Sequence, residues 1–174
     1  MKKILALLFL SLFFCPFLVR AAAPLDSDHD GYSDVVEINN GYNPYSSSTV
    51  KLPKRIEVEL KTQKLRYYLG DIKLGEFTIS SGKASTPTPK GNFTVQNKKI
   101  RPKSSLYKNL WMPYWVGLNI SGYGIHELPE WGKGIKEGAD HLGRPVSHGC
   151  VRLGVGPAKQ IYDFASVGTK VKIY

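Results

Sequence analysis

The sequence predicts a mainly β domain with one or two short helices, standing behind a small N-terminal segment. Three observations predict it. Short apolar runs recur after residue 52 with turn residues between them, and Ile56, Val58 and Leu60 alternate with Glu57 and Glu59 at the strand period of two. Only one stretch, opening at Pro157, carries apolar residues at helical spacing. Finally, 174 residues with 42% hydrophobic and 11% aromatic content suffice for one packed core and an appendage, which excludes a disordered or fibrous chain.

At the N-terminus, Lys2 and Lys3 precede an apolar run closed by Arg20 and three alanines, the layout of a secretory signal peptide. Pro24 disfavours cutting after Ala23, so cleavage is placed after Ala21, giving a signal peptide over 1–21. The alternative is an uncleaved N-terminal anchor; a lipidated Cys15 is disfavoured by Phe13 and Phe14, which stand where small residues are needed. Export makes the cysteine count meaningful. Only Cys15 and Cys150 are present, so the mature chain would keep Cys150 with no intramolecular partner in an oxidising compartment.

Residues 22–50 form a separate segment of calcium loop and linker, without a single basic residue. Asp26-Ser27-Asp28-His29-Asp30-Gly31-Tyr32-Ser33-Asp34-Val35-Val36-Glu37 fits the loop D-x-D-x-D-G-x5-E at each defining position. Asp26, Asp28 and Asp30 would supply single oxygens, Tyr32 its carbonyl, Asp34 a direct or water-borne contact, and Glu37 a bidentate closure. With Gly41-Tyr42-Asn43-Pro44 following, the stretch resembles one calcium-binding repeat of the thrombospondin type 3 kind, which implies a structural Ca2+. An acidic solvated linker is the plainer alternative.

The main domain is placed at 52–174. After the strand around Ile56, runs at 65–69 and 72–80 flank Gly70-Asp71 as a hairpin, and Phe93-Thr94-Val95 resumes a strand beyond a proline-rich loop that cannot be helical. The basic segment 97–108 reads either as a loop over a site or as solvated surface. Trp111, Tyr114 and Trp115 read as core, with a groove wall as the alternative. A strand at 116–120 and Gly124-Ile125-His126-Glu127 precede a glycine- and charge-rich loop reaching Pro145. Ala158, Ile161, Phe164 and Ala165 give one helix face behind Pro157, and 171–174 closes the domain as a strand.

The chemistry gathers at Ser147-His148-Gly149-Cys150-Val151-Arg152-Leu153. A thiol needs a base or a favourable field to act as a nucleophile at neutral pH, its ordinary pKa being about 8.5. His126, His141 and His148 are candidate bases. A metal set of His126, His141, His148 and Cys150 matches no familiar zinc spacing, and no cofactor is expected for catalysis.

Ser147-His148-Gly149-Cys150-Val151-Arg152 resembles the signature of the L,D-transpeptidase catalytic domain, and Gly124-Ile125-His126 its upstream histidine motif. Ser80-Ser81-Gly82 with Thr86-Pro87-Thr88-Pro89-Lys90-Gly91-Asn92-Phe93 resembles the family's substrate-side loop, and Val167-Gly168-Thr169-Lys170-Val171 its closing turn. The resemblance implies a β-sandwich-like domain and a cysteine acyltransferase acting on peptidoglycan stem peptides. It gives Cys150 the role of nucleophile and His126 that of base. His148 and Gly149 would lend backbone N–H groups, with that of Cys150, to an oxyanion hole. Arg152 would hold a substrate carboxylate, with Ser147 and Arg144 as further substrate contacts.

The implied product is a 3→3 cross-link or a protein attachment, an envelope protein then being the acyl acceptor. Water as acceptor would make an L,D-carboxypeptidase; a non-catalytic wall-binding protein is the third reading. The expected setting is the periplasm or envelope of a bacterium. From Lys51 onward, 21 basic and 9 acidic residues suit an anionic polymer there. Nucleic acid is not expected as a partner, membrane contact only through a retained signal segment, and the chain is expected to be a monomer. Two departures stand out: twenty residues separate His126 from Ser147, more than the family's usual interval, and Glu127 replaces a glycine.

Overall fold

A computed structural model describes residues 23–174. The signal peptide expected at 1–21 lies outside the described residues, and no described helix is long and apolar enough to cross a membrane. Helix α1 (Asp34–Asn40) leads to β1 (Lys54–Glu59), β2 (Lys64–Leu69), β3 (Ile72–Ser80) and β4 (Gly91–Lys99). There follow β5 (Leu110–Trp111), β6 (Trp115–Leu118), β7 (Gly124–Glu127), β8 (Glu130–Trp131) and β9 (Ile135–Lys136). The chain ends with β10 (Val151–Leu153), helix α2 (Pro157–Phe164) and β11 (Lys170–Ile173).

The domain is mainly β, as its alternation predicts. Eight strands run in the order β1-β11-β4-β6-β7-β10-β3-β2 and close on themselves. The long strands explain the closure. β4 pairs with β11 over 91–94 and with β6 over 95–99, while β3 pairs with β2 and, at its far end, with β10. Two sandwich-like layers are thereby joined at both margins, which leaves the barrel, among the described residues, no open edge to recruit another strand.

Ile56, Val58, Leu65, Ile79, Val95, Ile125 and Val151 are buried inside. Helix α2 covers one end of this core with Ala158, Ile161 and Phe164, and Pro157 fixes its first turn. The glycine-rich loop after β7 has structure of its own: β8 and β9 pair with each other, and β8 with β5, as a small second sheet. For the chemistry, one pairing matters most. β7 and β10 run parallel, with Val151 opposite Ile125 and Arg152 opposite His126.

Candidate active site

The residues before β10 form a tight loop held from behind. Ser147 Oγ accepts the N–H of Gly149 at 3.0 Å and donates to the carbonyl of Cys150 at 2.6 Å. Its own N–H reaches Ser81 O at 2.9 Å, and its carbonyl accepts Lys83 N–H at 3.0 Å. Thr88 Oγ1 takes the N–H of Gly82 and donates to Gly149 O, both at 2.8 Å. Gly149 has φ +115°, and a Cβ there would lie 2.6 Å from the Tyr123 ring, so only glycine fits.

These contacts revise three expectations. Ser147 braces the loop through its side chain, so its hydroxyl is already occupied within the protein. The N–H of Gly149 is spent on that hydroxyl, which leaves the N–H of Cys150, with that of His148, as the loop's candidate oxyanion donors. The segment 80–93 lies behind the nucleophile loop and contributes nothing to the cleft in front of it. Ser147→Ala is expected to lower stability by about 1–3 kcal/mol, because two buried backbone groups lose their shared partner. A urea midpoint unchanged from wild type would show the brace to be dispensable.

Cys150 is a free, half-buried thiol whose Sγ donates to Gly122 O at 3.6 Å. Burial pushes its pKa up, partly offset by a backbone hydrogen bond from Gly124 and by the charge of Arg152. His126, on β7, is buried beneath the Trp115 ring, with centroids 5.9 Å apart and planes at 25°. Its Nδ1 lies 2.5 Å from the Glu127 carbonyl. A carbonyl can only accept, so Nδ1 carries the hydrogen and Nε2 keeps a free lone pair. Burial, reinforced by Arg152, holds the imidazole pKa down at about 4 against the pull of that carbonyl. The resting site therefore pairs a neutral thiol with a neutral imidazole, and proton transfer must accompany attack.

Cys150, His126 and Arg152 share one cleft of about 340 Å³. The basic segment supplies its outer wall through Lys99, Lys103, Leu106 and Tyr107, which settles the choice between loop over the site and plain surface. The aromatic cluster divides: Trp115 lines the cleft, while Tyr114 packs on the core beside Tyr162. His148 is exposed at the cleft, its Nε2 3.2 Å from Tyr107 Oη, so its side chain faces the outer wall.

Arg144 stands outside the cleft, its guanidinium held by Asp140 O at 2.6 Å and Asp140 Oδ2 at 3.2 Å. His141 also lies outside it, beside Asp140. Among the described residues, no metal set forms from histidines and Cys150.

The sequence matches the profile of the L,D-transpeptidase catalytic domain, YkuD, over residues 53–173. The chain belongs to this family. YkuD of Bacillus licheniformis, named for an inferred L,D-transpeptidase activity, is 30% identical over 122 residues, covering 70% of this chain and 66% of that protein. YciB of Bacillus subtilis, named likewise, is 35% identical over 124 residues, covering 68% of this chain and 64% of its own length. The chain thus spans just under two thirds of these relatives. An L,D-transpeptidase from Mycobacterium smegmatis shares the fold, with a TM-score of 0.62 at 21% identity over 74% of this chain and 64% of that one.

Both departures from the family pattern trace to one element. The extra residues between His126 and Ser147 build β8 and β9, and Glu127 is buried at their base, paired with Lys136 Nζ. Lys136 also holds Glu130 at 3.1 Å, and Glu130 in turn receives the Arg101 guanidinium. A glycine after His126 could not anchor this insert.

A second cluster lies ahead of the barrel. Ligand atoms of Asp26, Asp28 and Asp30 fall within 4.8 Å of one another. Glu37 is 5% exposed, and its Oε2 has no partner among the described residues; Asp28 Oδ2 is likewise without one. Burial and the charges of Asp28, Asp30, Asp34 and Asp26 push the Glu37 carboxyl up. Both oxygens of Asp34 accept from Ser27, through N–H and Oγ at 2.8 Å each, as both oxygens of Asp26 accept backbone N–H groups of His29 and Gly31, so each carboxylate also braces the loop. The Tyr32 side chain is exposed, as suits a residue offering only its carbonyl. The loop is tied to the barrel by Lys54, whose Nζ donates to Asn39 O at 2.6 Å and Phe164 O at 2.7 Å.

Proposed function

We propose that this protein is an exported peptidoglycan L,D-transpeptidase. One observation carries the reading: adjacent parallel strands present Cys150 and His126 to the same cleft, with the free Nε2 of a neutral imidazole as the available base. The thiol proton passes to Nε2 as Sγ bonds to the carbonyl carbon of the diamino acid at stem position three. The oxyanion so formed meets the N–H groups of Cys150 and His148, fixed donors of the kind that contribute about 3 kcal/mol each in acyl transfer. Collapse breaks the amide C–N bond, His126 returns the proton to the leaving nitrogen, and D-alanine departs. The remaining thioester is resolved by an amine, giving a 3→3 cross-link or a protein attachment. The basic wall of Lys99 and Lys103 suits an anionic polymer in the envelope.

Incubating the mature protein with tetrapeptide muropeptides tests this. Loss of D-alanine together with dimers is the expected result. Loss without dimers would make water the acceptor, and binding without reaction would leave only a wall-binding role.

The N-terminal loop is proposed to hold one Ca2+ through Asp26, Asp28, Asp30, the Tyr32 carbonyl and Glu37, with Asp34 in contact directly or through water. The donor set fits a hard divalent cation: carboxylate oxygens and a carbonyl, with two carboxylate oxygens left unpartnered in a buried setting. The ion's role is structural, since the loop contributes no residue to the Cys150 cleft.

A further inference from the structure

The acyl-transfer scheme leaves the insert between β7 and β10 without a task, yet the insert places a carboxylate beside Arg152 at the margin of the cleft. Glu137 is held by its N–H to Pro129 O at 2.9 Å and by the Trp131 indole N–H on Oε2. Its Oε1 lies 4.0 Å from Arg152 Nη1. The frame beneath is rigid, with Lys136 clasped by Glu127 and Glu130.

Arg152 is only 11% exposed at its side chain, and among the described residues its guanidinium donates no hydrogen bond. Nearly buried donors without acceptors are costly unless a ligand supplies them. Glu137 does not fill that need, because 4.0 Å exceeds hydrogen-bond reach. The two charges stand side by side, each with capacity to spare, and Glu137 keeps 39% of its side chain open to solvent.

We propose that Arg152 and Glu137 together grip an α-amino acid group at the end of the acylating residue's side chain, the carboxylate on Arg152 and the ammonium on Glu137. This rests on the proposed function and names what its donor site selects. Distance supports it. Cys150 and Arg152 are two residues apart at the start of β10, about 6.6 Å along an extended chain. A side chain whose amino acid head lies five bonds from the attacked carbonyl spans about 6 Å. The grip belongs to the donor strand: an ammonium held on Glu137 is protonated and turned from the thioester, so it cannot be the attacking amine.

The test uses two synthetic tetrapeptides that differ only at position three, one carrying meso-2,6-diaminopimelate and one 2-aminopimelate, which keeps the distal carboxylate and lacks the ammonium. Acylation is followed by protein mass and D-alanine release. Wild type is expected to prefer the first by about tenfold in kcat/KM, the scale of one charged hydrogen bond. In Glu137→Gln that ratio should fall close to one, and Glu137→Asp should recover part of it. A ratio near one in wild type overturns the proposal. So does an undiminished ratio in Glu137→Gln, since a residue that merely props Arg152 would affect both peptides alike. Acylation of neither peptide by wild type would remove the proposed function itself, and this proposal with it.

Discussion

Replacing His126 by alanine is expected to slow thioester formation at Cys150 by about 10²–10⁴-fold, and Cys150→Ala to abolish it. The size follows from the resting charges. Burial raises the thiol pKa, so the nucleophile holds its proton at neutral pH and depends on a base at the moment of attack. His126 is ready over an unusual range, because its pKa sits at about 4, well below the ordinary 6.5. The acid limb of the acylation rate should therefore fall near pH 4. A limb near 6.5 that survives in His126→Ala would assign the base elsewhere.

The same burial has a cost in stability, with a definite sign. Below pH 6.5 the unfolded chain takes up a proton that folded His126 refuses, so stability falls as pH drops from about 6.5 to about 4. The total is about 3 kcal/mol. Urea midpoints of wild type at pH 7 and pH 4.5 should show most of this loss, and His126→Gln should lose less between the same two values.

Calcium is expected to raise the melting temperature, and a chelator to lower it. At a free concentration one hundred times the dissociation constant, a site present only in the folded state adds about 2.7 kcal/mol. The transition should involve the whole domain, because Lys54 joins the end of α1 to the end of α2 and Leu52 N–H bonds Gly41 O at 2.8 Å. Glu37→Gln should remove most of the calcium response while retaining the fold, since it replaces one buried carboxylate oxygen by an amide. Identical melting curves with calcium and with chelator would exclude a structural ion.

Much of this was legible in the sequence where local pattern and local chemistry coincide. The alternation at Ile56 and Val58 reports a strand with one face inside, and Pro157 with Ile161 and Phe164 reports a helix with one face covered. Cys150, His126 and Arg152 could be singled out because a lone thiol, a distant histidine and a nearby arginine are few in kind.

Other features depend on folding. Helix α1 is hidden in an acidic stretch, where only Gly41 at its end and Ile38 against the core betray it. Ser147 looks like a ligand contact until its partners, Gly149 N–H and Cys150 O, are brought within reach. Arg144 is near Cys150 in sequence but turns outward to Asp140. Glu137 gave no signal at all, since nothing in a loop without periodicity tells which carboxylate will meet Arg152.

The parallel pairing of β7 with β10 has a consequence for how such a protein can change. Because one ladder sets His126 against Arg152, and the braced loop from Ser147 holds Cys150 just before it, the insert that carries β8 and β9 has no part in aligning the reacting groups. Its length is free. Residues can be added, removed or exchanged there, altering what the cleft accepts while the distance between thiol and imidazole is held by backbone hydrogen bonds elsewhere. The insert carrying Glu137 is one setting of that adjustable part, and grafting a different loop between the same two strands is the direct route to a different substrate preference.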